Sequence, residues 1–557
     1  MTPREPGGRP AGAGRDGPDG GGPDRGGANR GGPGRGGPDR GGSGRHGGRG
    51  PAPDRRSPAA DRRDAAGRER GAARLTGQGN RTASAPSARR RDADSARGAA
   101  FDVLREVDGS DAYANLVLPP LLRERDIRGR DAGFATELAY GALRLRGRYD
   151  AIIELCAGGR TLDRIDPPVL DLLRLGAHQL LGMRVPPHAA VSETVGLARA
   201  RTGAGSAQFV NAVLRAVSAQ DLDTWLSRIA TAADPAGTDA VARLAVTESH
   251  PLWVTRALRE ALVAHGRDAG EIGDLLAADN AAPAVTLVAR PGLSDVDEVR
   301  EQAREDTSPG RWSPYAVTMS GGDPGALRTV RDGRAGVQDE GSQLVALALA
   351  AAALDGGADE RWLDLCAGPG GKAALLGALA ATRGARLVAN EVQPHRARLV
   401  ERALAAVPAR AVEAVRVGDG RTVGEEEPGA YDRVLLDAPC TGLGALRRRP
   451  EARWRRTPAD LAHLGELQRS LLASALDAVR PGGVVAYATC SPHLVETQLV
   501  VKDVLRRRDD VEVLDTRVAM RDVAGPDLPL TERTDVQLWP HVHGTDAMFL
   551  ALLRRRA

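Results

Sequence analysis

The stretch WLDLCAGPGGKAALLGALA, Trp362–Ala380, decides how the rest of the chain is read. It opens as an apolar strand and closes as a helix, with Gly368, Pro369, Gly370 and Gly371 between them. Glycines at such a junction allow a tight turn and a close approach of backbone to a ligand. The loop lacks the Lys-Ser/Thr ending of a P-loop and the full dinucleotide spacing, so by itself it is equally compatible with plain chain reversal.

Outward from this turn the pattern repeats. RLVANEV, AVRVGDG, DRVLLDAP and GVVAYATC are apolar runs ending in polar or small residues, with helical segments between them. That alternation predicts an α/β Rossmann-like domain over 330–557, built on a parallel sheet with ligand groups at the carboxyl ends of its strands. Acids stand at four of those ends: Asp364, Glu391, Asp419 and Asp437. Glu391 follows the glycines by about 20 residues, where an acid accepts from both hydroxyls of a ribose. Repeated acids repel a pyrophosphate but suit an amine, a ribose, an adenine and a sulfonium, so the expected cofactor is S-adenosyl-L-methionine rather than NAD or ATP. Its expected contacts are Cys366, Ala367, Gly368, Pro369, Gly370, Gly371, Lys372, Glu391, Asp419 and Asp437.

Two thiols follow strands of the same sheet, Cys440 in DAPCTGLG and Cys490 in YATCSP. Buried cysteine is ordinarily a small hydrophobe. At a crevice-facing position beside Pro, Gly or Ser, however, a thiolate of lowered pKa can act as a nucleophile. With Cys156 and Cys366 these make four cysteines, without C-x-x-C spacing, so reduced thiols are expected. Lysine occurs only at Lys372 and Lys502 in a chain otherwise rich in arginine, which marks the lysine at the loop–helix junction for a role beyond surface charge.

The 557 residues suffice for several domains. Residues 1–92 repeat Gly-Gly, Pro-Asp-Arg and Gly-Arg units, with about 20 arginines against about 10 acids; the formal net charge is +4, so the remainder is slightly acidic. This segment buries too little apolar surface to offset the entropy of ordering and is expected to be disordered, either as a solvated tail or as an arm adding nonspecific RNA attraction. From 93 to 232 the period is helical: in PPVLDLLRLGAHQLLGM, Leu170, Leu173, Ala177 and Leu181 recur at steps of three or four, with Pro167 and Pro168 at the start and Gly182 near the end. Residues 233–329 read as a linker and a small α/β subdomain, with a helix from His250 and a strand over Ala284–Gly292. Neither a signal-peptide core nor a run of about 18 apolar residues is present, so a soluble, cytoplasmic protein without membrane contact is expected.

RRRPEARWRR, Arg447–Arg456, follows the Cys440 loop, and Arg447, Arg448, Arg449 and Arg453 are expected to track RNA phosphates, against the plainer reading of a solvated basic loop. His541 and His543 form an H-x-H pair without Cys or acidic ligand spacing, so no metal is expected.

CAGPGGK (Cys366–Lys372), DAPCTGLG (Asp437–Gly444) and ATCS (Ala488–Ser491) together resemble the Sun/Nop family of RNA cytosine carbon-5 methyltransferases, and VQDEGSQL (Val337–Leu344) and PHVHGTDAMF (Pro540–Phe549) resemble its flanking motifs. Arg130, Phe134, Glu137, Val191–Thr194 and FVNAVLR (Phe209–Arg215) resemble an all-α NusB-like RNA-binding domain. The combination is similar to the members acting on small-subunit (16S) ribosomal RNA. The resemblance implies Cys490 as the nucleophile attacking cytosine carbon-6, Asp437 at cytosine N3, Cys440 as the thiol that assists release, and Lys372 orienting Asp437 or the base. It implies an RNA substrate, and a monomer is expected. This sequence departs from the pattern at Gly368, where many members have Ala, and at Glu391, often Asp. A DNA cytosine methyltransferase would use the Pro-Cys thiol, Cys440, as nucleophile and leave ATCS unexplained. A noncatalytic RNA chaperone or antitermination factor rests only on the helical domain and the tail.

Overall fold

The computed structural model describes residues 95–110, 112–303 and 307–556; the tail read over 1–92 lies outside the described residues. The chain from Ser95 to Ala233 is helical throughout its regular structure. Its central helix, Pro167–Leu181, starts on Pro167, where the missing N–H costs nothing, and buries Leu172, Leu173, Leu175 and Ala177. The helix Ala204–Val217 crosses it closely, because a β-carbon at Gly176 would lie 2.5 Å from Leu214. The helices Ala240–Thr247, Leu252–Ala264 and Ile272–Asn280 lead on to the sheets.

A small antiparallel sheet comes next: β1 (Val285–Ala289), β2 (Thr307–Pro309), β3 (Ala316–Met319) and β4 (Ala335–Val337), in the order β2-β3-β1-β4. Because β4 pairs with β1, this sheet reaches past the subdomain boundary expected at 329.

The large sheet holds β5 (Arg361–Asp364), β6 (Arg386–Glu391), β7 (Val412–Val417), β8 (Tyr431–Asp437), β9 (Val479–Thr489), β10 (Val511–Val513) and β12 (Phe549–Arg555) in the order β10-β12-β9-β8-β5-β6-β7, with β11 (Val536–Gln537) paired to β12. The five strands read from the sequence are parallel neighbours. Three antiparallel strands extend them at the β9 edge, and the sequence reading had missed these. Helices Glu340–Ala351, Gly371–Arg383 and Thr516–Ala524 pack on one face and Pro458–Ala478 and Gln498–Leu505 on the other. A helical domain is thus followed by a Rossmann-like domain. Strand order reverses at β5, and a crevice opens there beyond the carboxyl ends of the strands.

Candidate active site

The turn after β5 is shaped by its glycines. Gly370 sits at φ 111°, and a β-carbon there would also meet the Ala403 methyl at 2.6 Å, so this position admits no side chain. The turn launches the helix Gly371–Arg383, whose second residue, Lys372, reaches across to the end of β8 and donates to Asp437 Oδ2 at 2.8 Å. Burial works against the lysine charge, but Asp437, Cys490 and Asp364 outweigh it and hold the ammonium above the ordinary lysine value.

Beside the turn lies a cleft of about 460 Å³ whose lining includes Cys366, Glu391, Val392, Asp419 and Leu471. Glu391, buried at the end of β6, accepts from the amides of Gly368 (3.1 Å) and Gln393 (2.9 Å) and pairs with Arg396. Asp419 lies just beyond β7 and already receives Arg421 on both carboxylate oxygens. Ala367 ties the turn to β6 through Asn390 O. Burial, then the Asp364, Asp437 and Glu391 charges, push the Cys366 thiol well above its ordinary value, so it stays protonated.

The fourth strand-end acid, Asp364, is buried beneath the site, and neither of its oxygens has a well-formed hydrogen bond. Burial, reinforced by the neighbouring Asp437 charge, pushes its carboxyl up to about 8, against Lys372 and the Cys366 amide.

Cys440 and Cys490 meet with their sulfurs 3.4 Å apart. The register of β8 beside β9 brings Asp437 opposite Ala488, and the following loops stay joined where the Gly444 amide donates to Cys490 O at 2.8 Å. Gly444 has no room for a side chain, since a β-carbon would lie 2.1 Å from Ala547 O, which seats the C-terminal motif against DAPCTGLG. The two thiols differ. The hydrogen bond from Cys440 lowers the Cys490 pKa; burial and Asp437 oppose this and Lys372 and Arg449 support it, for a net value below that of an ordinary thiol. Cys440 is pushed well above, first by that same hydrogen bond, then by burial and by the charges of Cys490, Glu496 and Asp437.

The arginine-rich segment corrects the sequence reading. Arg447 and Arg448 both bridge the buried carboxylates Asp339 and Asp546, so they join VQDEGSQL to the C-terminal motif rather than face solvent as phosphate ligands. Arg453 is fully buried; it donates to the carbonyls of Arg144, Ser249 and Asp279 and to Asn280 Oδ1, pinning the catalytic domain to the helices before it. Arg455 likewise donates to Val107 O and Ala112 O, and Glu451 accepts from the Ala114 amide. Helix carbonyls and buried carboxylates outbid water for these guanidinium groups. Arg449 alone of the four named arginines is exposed, with its guanidinium 5.0 Å from the Tyr113 ring centroid and close enough to act on Cys490.

Sequence reasoning missed Glu496. It is buried, and its carboxylate accepts from the Thr441 amide at 2.7 Å and the Thr441 hydroxyl at 2.5 Å. A lone Glu ahead of a short helix gives no signal of such a role. His541 bonds Glu271, and His543 bonds the Trp539 amide and Pro529 O. Among the described residues no cluster of three or more His, Cys, Asp or Glu is placed to hold a metal. Nor is any helix among them long and apolar enough to cross a membrane.

Comparison with known proteins agrees with this layout. Residues 351–554 match the family model "16S rRNA methyltransferase RsmB/F", and residues 94–219 match the NusB family. The chain is 54% identical over 467 residues to "Putative methyltransferase Rv1407" of Mycobacterium tuberculosis, covering 84% of this chain and 98% of the relative. It is 32% identical over 395 residues to "Ribosomal RNA small subunit methyltransferase B" of Vibrio cholerae, covering 70% and 85%. The solved structure of PH0851 shares the fold, with a TM-score of 0.67 at 21% identity, over 83% of this chain and 99% of that one. With the motifs, the fold and the relatives in agreement, the chain belongs to the 16S rRNA methyltransferase RsmB/F family and carries a NusB-family domain ahead of its methyltransferase domain.

Proposed function

We propose that the protein methylates carbon-5 of a cytosine in RNA, in small-subunit ribosomal RNA, with S-adenosyl-L-methionine as donor. The observation that carries this reading is the pair of thiols 3.4 Å apart beside the Lys372–Asp437 ion pair. The cleft residues fit the donor: Glu391 and Asp419 offer acceptors to hydroxyl and amine groups, Val392 and Leu471 offer apolar surface, and Gly368–Gly371 allow close backbone approach. When bound, S-adenosylmethionine supplies an electrophilic methyl group to the activated carbon-5.

Cytosine carbon-5 is too weak a nucleophile to take that group unaided. The Cys490 thiolate forms a bond to carbon-6, and the electrons of the 5,6 double bond move toward carbon-5 and N3. Asp437, oriented by Lys372, passes a proton to N3 as negative charge develops there and takes it back when carbon-5 gives its electrons to the methyl group. After methylation a water molecule takes the carbon-5 proton, the C–H electrons re-form the 5,6 double bond, and the Cys490 sulfur departs as thiolate while the Cys440 thiol donates its hydrogen bond to that leaving sulfur. Arg449, exposed beside the thiols, is the one of the four arginines expected to track phosphates that is placed to meet one.

Denaturing gels with labelled RNA test the reading. Cys490→Ala should abolish methyl transfer and any covalent adduct. Cys440→Ala should still methylate but accumulate a denaturant-resistant protein–RNA complex. An adduct that survives Cys490→Ala and vanishes with Cys440→Ala would reverse the roles.

A further inference from the structure

Glu496 carries a buried carboxyl group that the reaction as described does not use. It closes the 3-10 turn Leu494–Glu496, six residues beyond Cys490, yet its carboxylate is spent on the other cysteine loop. Oε1 accepts from the Thr441 amide (2.7 Å) and Gln468 Nε2 (3.4 Å), and Oε2 from the Thr441 hydroxyl (2.5 Å). Gln468 Nε2 also donates to Pro439 O at 2.8 Å, so the residues on both sides of Cys440 are fixed. The Thr441 and Ser491 hydroxyls lie 3.2 Å apart, and Tyr487 donates to Glu496 O at 2.7 Å, which anchors the turn to β9.

A clip of this shape needs no charge. An ionised carboxylate costs several kcal/mol to bury, and a neutral acceptor would hold the same loop. The charge has its effect on the thiols. The Cys490 hydrogen bond, burial and the Cys490 charge come first in holding Cys440 protonated and Glu496 adds to them, whereas the Cys440 hydrogen bond, Lys372 and Arg449 favour the Cys490 thiolate; Asp437 disfavours ionisation of both. Of the other groups close to Glu496, Arg469 and Glu260 act as charges on Tyr487 and His493, and the latter two add none of their own near neutrality. Tyr487 is held well above its ordinary value by burial, and His493 is held below its own by burial against Glu496 and Glu260.

We infer that Glu496 is a positioning residue that locks the Cys440 loop to the Cys490 loop and, through its negative charge, reserves the thiolate for Cys490. The inference rests on the proposed division of labour between the two thiols, but its test does not require turnover.

In the full chain carrying Cys490→Ser, so that the neighbouring thiol no longer titrates, the iodoacetamide alkylation rate of Cys440 is followed against pH by peptide mass spectrometry. Glu496→Gln should lower the pH midpoint by about one unit, giving about tenfold faster labelling one unit below the native midpoint. Glu496→Asp, which keeps the charge, should restore the native midpoint. Thr441→Val removes a donor and leaves the carboxylate less shielded, so it should raise the midpoint. A merely loosened loop would raise the plateau rate in all three variants and leave the midpoints together. An unchanged midpoint in Glu496→Gln, or in Thr441→Val should Glu496→Gln not fold, overturns the inference. Midpoints that move as expected while adducts form on Cys440 would instead retain the electrostatic role and overturn the proposed roles of the thiols.

Discussion

The carboxylate of Glu391 occupies the space that a side chain at residue 368 would need. A β-carbon on Gly368 would lie 2.1 Å from Glu391 Oε2, the same oxygen that accepts the Gly368 amide at 3.1 Å. The two positions at which the sequence departs from the family pattern thus share one space, and a side chain at residue 368 requires the Glu391 carboxylate to shift.

This pairing predicts strong coupling. Gly368→Ala alone should weaken S-adenosylmethionine binding about tenfold or more by displacing Glu391. Adding Glu391→Asp, which withdraws the carboxylate by one methylene, should recover most of the loss, with a coupling energy of about 1–2 kcal/mol. Calorimetry on the four proteins of the cycle decides it; additive losses would show that the two side chains do not compete for space.

The two cleft acids should differ in weight. Glu391→Ala is expected to cost about 1–3 kcal/mol of cofactor binding. Asp419→Ala should cost less than about 1 kcal/mol, because Arg421 already takes both Asp419 oxygens in an exposed pair. Equal losses in the same titration would mean that Arg421 releases Asp419 when the cofactor binds.

The arginines after the Cys440 loop should separate by function. Arg449→Ala should lower RNA affinity and reduce the salt slope by about 0.7 on a single strand. Arg447→Ala leaves Asp339 and Asp546 buried with one cation fewer and should cost about 3 kcal/mol of stability, with the RNA salt slope unchanged in protein that remains folded. A slope that falls with Arg447→Ala and stays constant with Arg449→Ala would reverse this assignment.

Asp364 predicts a pH dependence of stability. Its carboxyl titrates at about 8 in the folded chain against an ordinary 3.8. Between those values the folded state binds more protons than the unfolded state, so this group's contribution falls as pH rises through that window. Asp364→Asn removes the titration. Its stability relative to the native chain should therefore improve by about 2 kcal/mol between pH 6 and pH 8, read from urea midpoints. A difference that stays flat with pH would show Asp364 ionised in the folded protein.

Local chemistry made much of this legible in the sequence. Strand-ending acids, the glycine turn after Trp362–Leu365 and the helical period of Pro167–Leu181 report on neighbours within one or two turns of chain, and periodicity and glycine content are visible there. The thiols of Cys440 and Cys490 could be named because each stands just past an apolar run. What the sequence could not determine were the long-range choices. Arg447, Arg449 and Arg453 are chemically alike and lie within seven residues of chain, yet burial against Asp339 and Asp546 claims the first, backbone carbonyls claim the third, and of the three only Arg449 is left facing solvent. The antiparallel strand Phe549–Arg555 finds its place beside β9 only through pairing across some sixty residues. Glu496 becomes part of the thiol site because β8 and β9 are neighbours, which sets Thr441 against a turn 55 residues away. Such partnerships depend on which surfaces the fold buries together, and an uncompensated charge there is costly enough that tertiary packing, not residue type, decides what each charged side chain does.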